Sequence, residues 1–212
     1  MTRFTNSGAV AVIIDLAAQI VANKAYLSEI DGKIGDGDHG VNMAKGFGRA
    51  AERLSGDETL DQAMQVLSDV LMSEIGGSMG PLYGMMFSDM ADAIAGKEMI
   101  EAADFAAMLQ AGLDGVQEIG SAKVGDKTLL DTLVPAVDAF QAALANGADF
   151  GPALQDMTAA AIAGRDSTID LVARIGRASR LGERSRGVLD AGATSCCLIL
   201  TSMADGVGRR LA

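Results

Sequence analysis

The sequence has no tryptophan and only three prolines among 212 residues, and aromatic residues make up 4% of it. Hydrophobic residues as a whole make up 49% of the chain. A core drawn mainly from Ala, Leu, Ile, Met and Gly favours closely packed helices over a sandwich of β-strands, which needs β-branched and aromatic residues. The length favours one hydrophobic core, so we predict an all-α fold in a single domain over residues 1–212.

Positive charge is also scarce, because 17 Lys and Arg residues against 28 Asp and Glu residues leave a net charge of −11. Phosphate-rich surfaces would repel such a chain, so we expect no nucleic-acid partner and no anionic membrane surface. Long hydrophobic runs are missing as well. The uncharged run over residues 191–204 is too short for a membrane span, and Asp15 interrupts the first apolar run where a signal peptide would need continuity.

Cysteine is limited to the adjacent pair Cys196 and Cys197, which lies in an apolar run. Neighbouring residues on a helix point about 100° apart, which disfavours a disulfide between them. Buried free thiols in a reducing compartment are the better interpretation, and they indicate a cytoplasmic protein. No histidine is near them in sequence, so we assign them no nucleophilic role.

The most informative segment is residues 31–40, which contains Asp31, Asp36, Asp38, the only histidine (His39) and four glycines. Side chains at i and i+2 of a loop point the same way, and the glycines would let the loop fold Asp31 back toward the other two carboxylates. Close carboxylates repel one another unless a cation lies among them, and all-oxygen ligands suit Mg²⁺ or Ca²⁺. The pattern turns helical at Val41, so a helix N-terminus would be available there for phosphate.

Two known glycine-containing motifs do not fit this segment. Gly35 to Gly40 formally matches G-x-G-x-x-G, but the preceding residues 9–30 have a helical and not a strand pattern. An EF-hand loop starting at Asp36 would place Val41 and Phe47 at positions that require glycine and glutamate. A solvated acidic turn remains the open alternative.

Apolar periodicity predicts eight helices and no β-strand. The predicted helices cover residues 6–30, 41–54, 59–75, 81–95, 101–119, 129–145, 151–175 and 192–211. The links are short and glycine-rich, so sequential helices should pack antiparallel. The links over residues 31–40, 76–81, 120–128 and 176–192 follow alternate helices. We therefore expect these four loops at one end of the bundle, where they would form one functional rim.

The later loops each allow two interpretations. The glycines of residues 76–80 could place a second phosphate or an adenine edge at a helix start, or could form an ordinary turn. Residues 125–128 resemble the end of a phosphate loop only superficially, and a simple helix cap is favoured. Residues 174–186 contain five arginines, a composition suited to phosphate binding or to phosphoryl transfer. The alternative is a solvated loop in which Glu183 pairs with one arginine.

Two single residues complete the candidate site. Asp190 is a plausible cap of the last helix. His39 could carry a phosphoryl group, bind a metal or donate a hydrogen bond to phosphate, and donation is the favoured role beside three carboxylates.

The motifs of the four loops together resemble the nucleotide-binding L subunit (DhaL-like) of dihydroxyacetone (glycerone) kinases. The resemblance runs through essentially the whole chain, in order. It is carried by the segments Gly35–Met43, Gly76–Gly84, Val124–Asp131 and Gly176–Ser185.

The resemblance implies a closed up-and-down barrel of eight antiparallel amphipathic helices with a nucleotide at one end. It implies two Mg²⁺ ions held by Asp31, Asp36 and Asp38, and no catalytic residue that is covalently modified. It implies that ADP or ATP is contacted by His39, Gly40, Val41, Asn42, Ser78, Met79, Gly120, Leu129, Arg177, Asp190, Ala191 and Gly192.

Some positions depart from the pattern that the family usually shows. Ser78 and Met79 stand where Ala-Ser is common, so the serine hydroxyl is displaced by one position. Ala191 replaces a proline. Arg180 and Val188 stand where an aromatic residue and a histidine are common, and these two changes could alter the substrate class or the partner.

The function implied by the resemblance is phosphoryl transfer to dihydroxyacetone or a related short ketose held on a separate sugar-binding (DhaK-like) subunit. The phosphoryl group would come from a phosphohistidine carrier (DhaM-like) of the phosphotransferase system by way of bound ADP. The alternatives are an ATP-exchanging subunit of a triose or tetrose kinase, a non-catalytic nucleotide-binding regulator, and a barrel that carries an apolar ligand in its interior.

Overall fold

The structure is a computed structural model that describes residues 2–212, and most of these residues are helical. The α-helices are α1 (Val10–Ala22), α2 (Lys24–Ile34), α3 (His39–Arg53), α4 (Leu60–Glu74), α5 (Met79–Ala93), α6 (Ala102–Ile119), α7 (Leu130–Ala145), α8 (Phe150–Ser167) and α9 (Ala191–Gly208). A 3₁₀ helix covers Arg177–Ser185, and two short strands are β1 (Arg3–Thr5) and β2 (Met99–Glu101).

The predicted first helix is divided into α1 and α2, which meet at an angle of 55°. The break falls at Asn23, whose side-chain amide donates to the carbonyl of Gln19 at 2.8 Å. An asparagine side chain that bonds the backbone in this way competes with continuation of the helix. The residues described therefore contain nine α-helices where eight were predicted.

The predicted seventh helix also ends early, because α8 stops at Ser167 and not near residue 175. The hydroxyl of Ser167 donates to the carbonyl of Gly164 at 2.7 Å, and that of Thr168 donates to the carbonyl of Arg165 at 2.6 Å. These bonds satisfy carbonyls that a helix leaves free at its C-terminus. The chain beyond them is free to form the 3₁₀ helix of the arginine-rich segment.

The prediction of no β-strand was wrong. Strands β1 and β2 pair antiparallel, with Phe4 opposite Ile100, and both of these side chains are buried. Three-residue strands are too short to show the alternation by which strands are recognised in a sequence. Asn6 follows β1 and does not cap α1. Its side-chain oxygen accepts from the backbone N–H of Leu60 at 2.9 Å, and this bond connects the strand pair to the start of α4.

Consecutive helices pack against one another along the chain, and α9 packs against α1 and α8. Buried apolar side chains from all nine helices belong to one hydrophobic core. Helix α6 begins beside β2, and its last residue, Ile119, lines the main cleft of the molecule. An 18-residue helix is about 27 Å long, so the strand pair and the cleft lie at opposite ends of the bundle.

Within residues 2–212, no single helix has both the length and the apolar composition needed to cross a membrane. The bent pair of α1 and α2 meets those criteria only when the two helices are counted together.

Candidate functional site

The main cleft has a volume of about 910 Å³ and is lined by residues from four separate parts of the chain. These residues fall within the stretches 31–42, 76–83, 116–130 and 175–192. They include all four loops that were expected at one end of the bundle. The cleft therefore joins segments that are far apart in the sequence.

Four helices begin at this cleft. The first residues of α3, α5, α7 and α9 are His39, Met79, Leu130 and Ala191, and all four line it. The first N–H groups of a helix have no partner within the helix, and the helix dipole makes that end favourable for anions. The residues before α3 and α5 provide no side-chain cap. The cleft is thus suited to phosphate, although the protein as a whole is acidic.

Three carboxylates lie at one side of this cleft. Asp31, Asp36 and Asp38 each offer an oxygen within 4.8 Å of the oxygens of the other two. Asp31 belongs to the last turn of α2 and not to the loop, contrary to expectation. The chain then turns back at Gly37, whose φ of 78° lies in the left-handed region that glycine tolerates. An oxygen-only set of this kind fits a hard divalent ion such as Mg²⁺.

Gly35 lies very close to the side chain of Asp31. A Cβ atom at this position would lie 2.3 Å from Oδ1 of Asp31. The backbone N–H of His39 also donates to Oδ2 of Asp31, at 3.2 Å. Asp31 is therefore held between the end of α2 and the start of α3.

Arg177 reaches the acidic cluster from the arginine-rich segment. Its guanidinium group contacts the carboxylate of Asp36, and both side chains remain partly exposed. Arg186 pairs with Glu183 at 3.1 Å, so Glu183 does pair with one arginine, as the alternative interpretation of this segment predicted. Of the five arginines, Arg177 is the one whose side chain is placed at the carboxylates of the cleft.

His39 is buried, and its Nε2 lies 2.9 Å from the hydroxyl of Ser195. That hydroxyl is 2.7 Å from the hydroxyl of Tyr83, which is also within hydrogen-bonding distance of the carbonyl of Gly192, at 3.1 Å. Burial lowers the pKa of His39 to about 4, although the Asp31 carboxylate acts in the opposite direction. The imidazole is therefore neutral near pH 7, and its orientation is set by a network of hydroxyl groups.

Asp190 caps α9, as the sequence predicted, because its carboxylate accepts from the backbone N–H of Ala193 at 2.7 Å. Loss of solvation raises the pKa of this carboxyl group to about 6, while the bond from Ala193 and the charge of Lys127 act to lower it. The start of α9 thus places a carboxyl group that titrates close to neutrality at the edge of the cleft.

Most of the residues proposed from the sequence line the cleft, and two do not. A Cβ atom on Gly40 would lie 2.0 Å from the carbonyl oxygen of Lys24, so Gly40 is packed against α2. Val41 is 46% exposed, and its side chain lies outside the cleft. The predicted residues that line the cleft are Asp31, Asp36, Asp38, His39, Asn42, Ser78, Met79, Gly120, Leu129, Arg177, Asp190, Ala191 and Gly192.

Sequence reasoning missed two groups of residues. Ser195 and Tyr83 orient His39, and only the spacing of Ser195 one turn after Gly192 pointed toward the site. An apolar part of the cleft wall was missed as well, because its members look like ordinary core residues at helix ends. It includes Leu82, Val116, Ile119, Leu130 and Ile175.

Comparison with known proteins identifies the family. A model of the DAK2 domain matches residues 33–205, which is most of the chain. The chain belongs to the DAK2-domain family. It is 36% identical over 192 residues to the ADP-binding subunit DhaL of a PEP-dependent dihydroxyacetone kinase from Listeria innocua, and the match covers 89% of this chain and 90% of that protein.

The corresponding DhaL subunit from Escherichia coli K12 is 36% identical over 181 residues, with 84% of this chain and 86% of that protein covered. These DAK2-domain relatives are named as kinase subunits, and a kinase is a phosphotransferase. The predicted resemblance to L subunits and the predicted enzyme class are thereby confirmed.

A solved structure confirms the fold of the DAK2 domain. The dihydroxyacetone kinase from C. freundii, crystallised with AMP-PNP and Mg²⁺, matches with a TM-score of 0.70 and 23% identity. The match covers 93% of this chain and 33% of that longer chain. At this identity the likeness establishes a shared helical fold.

Proposed function

We propose that this chain is the ADP- and magnesium-binding subunit of a dihydroxyacetone kinase. In this proposal, ADP bound to the chain receives a phosphoryl group from a phosphohistidine carrier of the phosphotransferase system. The phosphoryl group then passes to dihydroxyacetone, or a related short ketose, which is bound on a separate sugar-binding subunit. The observation that carries the proposal is the cleft itself, which is lined by three clustered carboxylates and by the first residues of four helices. The relatives named as ADP-binding kinase subunits support it.

The carboxylates of Asp31, Asp36 and Asp38 would hold two Mg²⁺ ions. Magnesium, when bound, would neutralise phosphate oxygens and favour in-line phosphoryl transfer. The first turns of α3 and α5 would bind phosphate through backbone N–H groups, so Gly40 and Val41 could contribute although their side-chain positions lie outside the cleft. The neutral imidazole of His39 would donate to phosphate and would not carry a phosphoryl group.

The other lining residues include both charged and apolar side chains. Arg177 would stabilise negative charge on the transferred group, because it already lies at the carboxylate cluster. Leu82, Leu129 and Ile119 would pack against the nucleotide base, since apolar walls with a few polar groups are typical of such sites. No protein nucleophile is required in this arrangement.

We further propose that the helices form a closed barrel in one domain and that the protein is cytoplasmic. The packing of α9 against α1 supports a closed barrel, and the shared core supports one nucleotide-binding domain over residues 1–212. Both cysteines are free and buried, which supports a cytoplasmic location.

The first experiment is to denature the purified chain and to identify and quantify any nucleotide that is released. We expect close to one ADP per chain that survives dialysis and is lost in Asp36→Ala. Asp156→Ala, which removes an exposed carboxylate on α8, is the matched control and should retain the nucleotide. If the protein binds no nucleotide in the presence of Mg²⁺, the proposal is wrong.

A second experiment separates the forms that the activity could take. The chain is combined with a sugar-binding subunit and dihydroxyacetone, and either a phosphorylated carrier protein or ATP is supplied. Turnover with the carrier supports the proposal. Turnover with ATP alone would indicate an exchanging kinase, and nucleotide binding without turnover under either condition would indicate a regulatory subunit.

A further inference from the structure

Lys127 lies in the loop between α6 and α7 and is 2% exposed, although it borders the cleft. Its Nζ donates to the carbonyl oxygens of Thr168 at 2.6 Å, Leu171 at 3.2 Å and Val188 at 2.6 Å. A lysine ammonium has three N–H bonds, so these three carbonyls use all of them. The group therefore has no donor left for a phosphate in the cleft.

The three carbonyls belong to the two ends of one segment. Thr168 and Leu171 lie just after α8, and Val188 lies two residues before the cap of α9. The chain between them, residues 172–187, contains the arginine-rich 3₁₀ helix. Lys127 thus joins Thr168 and Leu171 to Val188, and these residues form the base of the segment that places Arg177 at the acidic cluster.

Backbone hydrogen bonds at the same base support this geometry. The N–H of Gly187 donates to the carbonyl of Ile169 at 2.7 Å, and the N–H of Arg174 donates to the carbonyl of Asp126 at 3.1 Å. The second bond joins the segment to the residue before Lys127. The base of the segment is therefore attached to the α6–α7 loop through both backbone and side chain.

The backbone at Lys127 is strained, since its φ of 64° lies in the left-handed region. Few residues other than glycine adopt this conformation. Burial also lowers the pKa of this lysine, while the carboxylates of Asp190 and Asp131 act in the opposite direction. A strained, desolvated lysine whose donors all bond to carbonyls at the two ends of one segment indicates a defined structural role.

We propose that Lys127 is a positioning residue that holds the segment 172–187 so that Arg177 stands at the acidic cluster, and that it is not a phosphate ligand. The functional readout of this inference rests on the proposed nucleotide-binding function, whereas its structural readout does not.

The decisive experiment is a double-mutant cycle on Mg²⁺-ADP affinity. Lys127→Met, Arg177→Ala and the double variant are freed of bound nucleotide and compared with the parent chain by titration calorimetry. If Lys127 acts through Arg177, each single change should weaken Mg²⁺-ADP binding roughly tenfold. The affinity of the double variant should then lie within about twofold of the affinity of the weaker-binding single variant. An independent phosphate contact by Lys127 predicts roughly a hundredfold loss in the double variant, and that result would overturn the inference.

Two controls separate positioning from general instability. Arg180→Ala removes another exposed arginine of the same segment and should leave the affinity unchanged. Phe105→Leu weakens the core at the far end of α6, and its affinity shows what lost stability alone does. If Phe105→Leu weakens Mg²⁺-ADP binding as much as Lys127→Met does at matched unfolding midpoints, Lys127 has no positioning role.

Amide hydrogen exchange tests the same inference without nucleotide. In Lys127→Met, amides of residues 172–187 should exchange at least roughly tenfold faster, while those of α4 and α5 keep the parent rates. Unchanged protection of the segment would overturn the inference. Should Lys127→Met not fold, Lys127→Gln retains two donors and gives the same comparison. If the parent chain fails to bind Mg²⁺-ADP, the proposed function fails, whereas the exchange result still decides the structural role of Lys127.

Discussion

Replacing Gly35 by alanine tests whether the three carboxylates act as one metal-binding cluster. The φ of Gly35 is −131°, outside the left-handed region, but the added Cβ atom would lie 3.0 Å from the backbone oxygen of Asp31, so the end of α2 must adjust slightly. The new Cβ atom would lie 2.3 Å from Oδ1 of Asp31, whereas carbon and oxygen atoms in ordinary contact lie about 1 Å further apart. The Asp31 carboxylate must therefore shift from the position that it occupies beside Asp36 and Asp38. Displacing one ligand support in this way typically weakens metal binding about 10- to 100-fold.

The assay is a titration of Mg²⁺ against Gly35→Ala in the presence of ADP, together with thermal unfolding. We expect the Mg²⁺ affinity to fall while the free energy of unfolding changes by less than about 1 kcal/mol. Gly48→Ala is the matched control, because its Cβ would meet the nearest atom of Val21 at an ordinary 3.6 Å, and its Mg²⁺ affinity should not change. If Gly35→Ala binds Mg²⁺ as tightly as the parent chain, Asp31 is not part of the metal site.

Three further outcomes are expected. Gly164→Ala should lower the free energy of unfolding by about 1–3 kcal/mol in urea denaturation, because its Cβ would lie 2.2 Å from the backbone oxygen of Asp131; an unchanged midpoint would show that α7 and α8 can separate without cost. Cys196 and Cys197 should react with a thiol reagent only after denaturation, since burial raises the pKa of both thiols; rapid reaction of the native chain would contradict their placement. Ser195→Ala should lower the free energy of unfolding by about 1–3 kcal/mol, because it leaves the buried imidazole of His39 and the buried phenol of Tyr83 without their shared hydrogen-bond partner. The change is measured by calorimetric unfolding, and a loss no greater than that of a surface Ser→Ala change would exclude this hydrogen-bond network.

The sequence by itself was sufficient to predict where most helices run and which loops share one end. Both properties depend on local information, namely the spacing of apolar residues and the number of helices between two loops. The i, i+2 spacing of Asp36 and Asp38 likewise predicted that their carboxylates lie together. The same local reasoning explains the errors, because the side-chain bonds of Asn23 and Thr168 that end helices leave little trace in the apolar pattern.

Only the tertiary structure decided how the ends of the helices meet. His39 and Ser195 are 156 residues apart, and Lys127 reaches a carbonyl 61 residues further along the chain. Asp31 lies on the last turn of α2, and the packing of α2 against α3 brings its carboxylate to the backbone N–H of His39. Such contacts arise because packing of a shared core brings helix ends together, and the periodicity of any one helix contains no information about its neighbours.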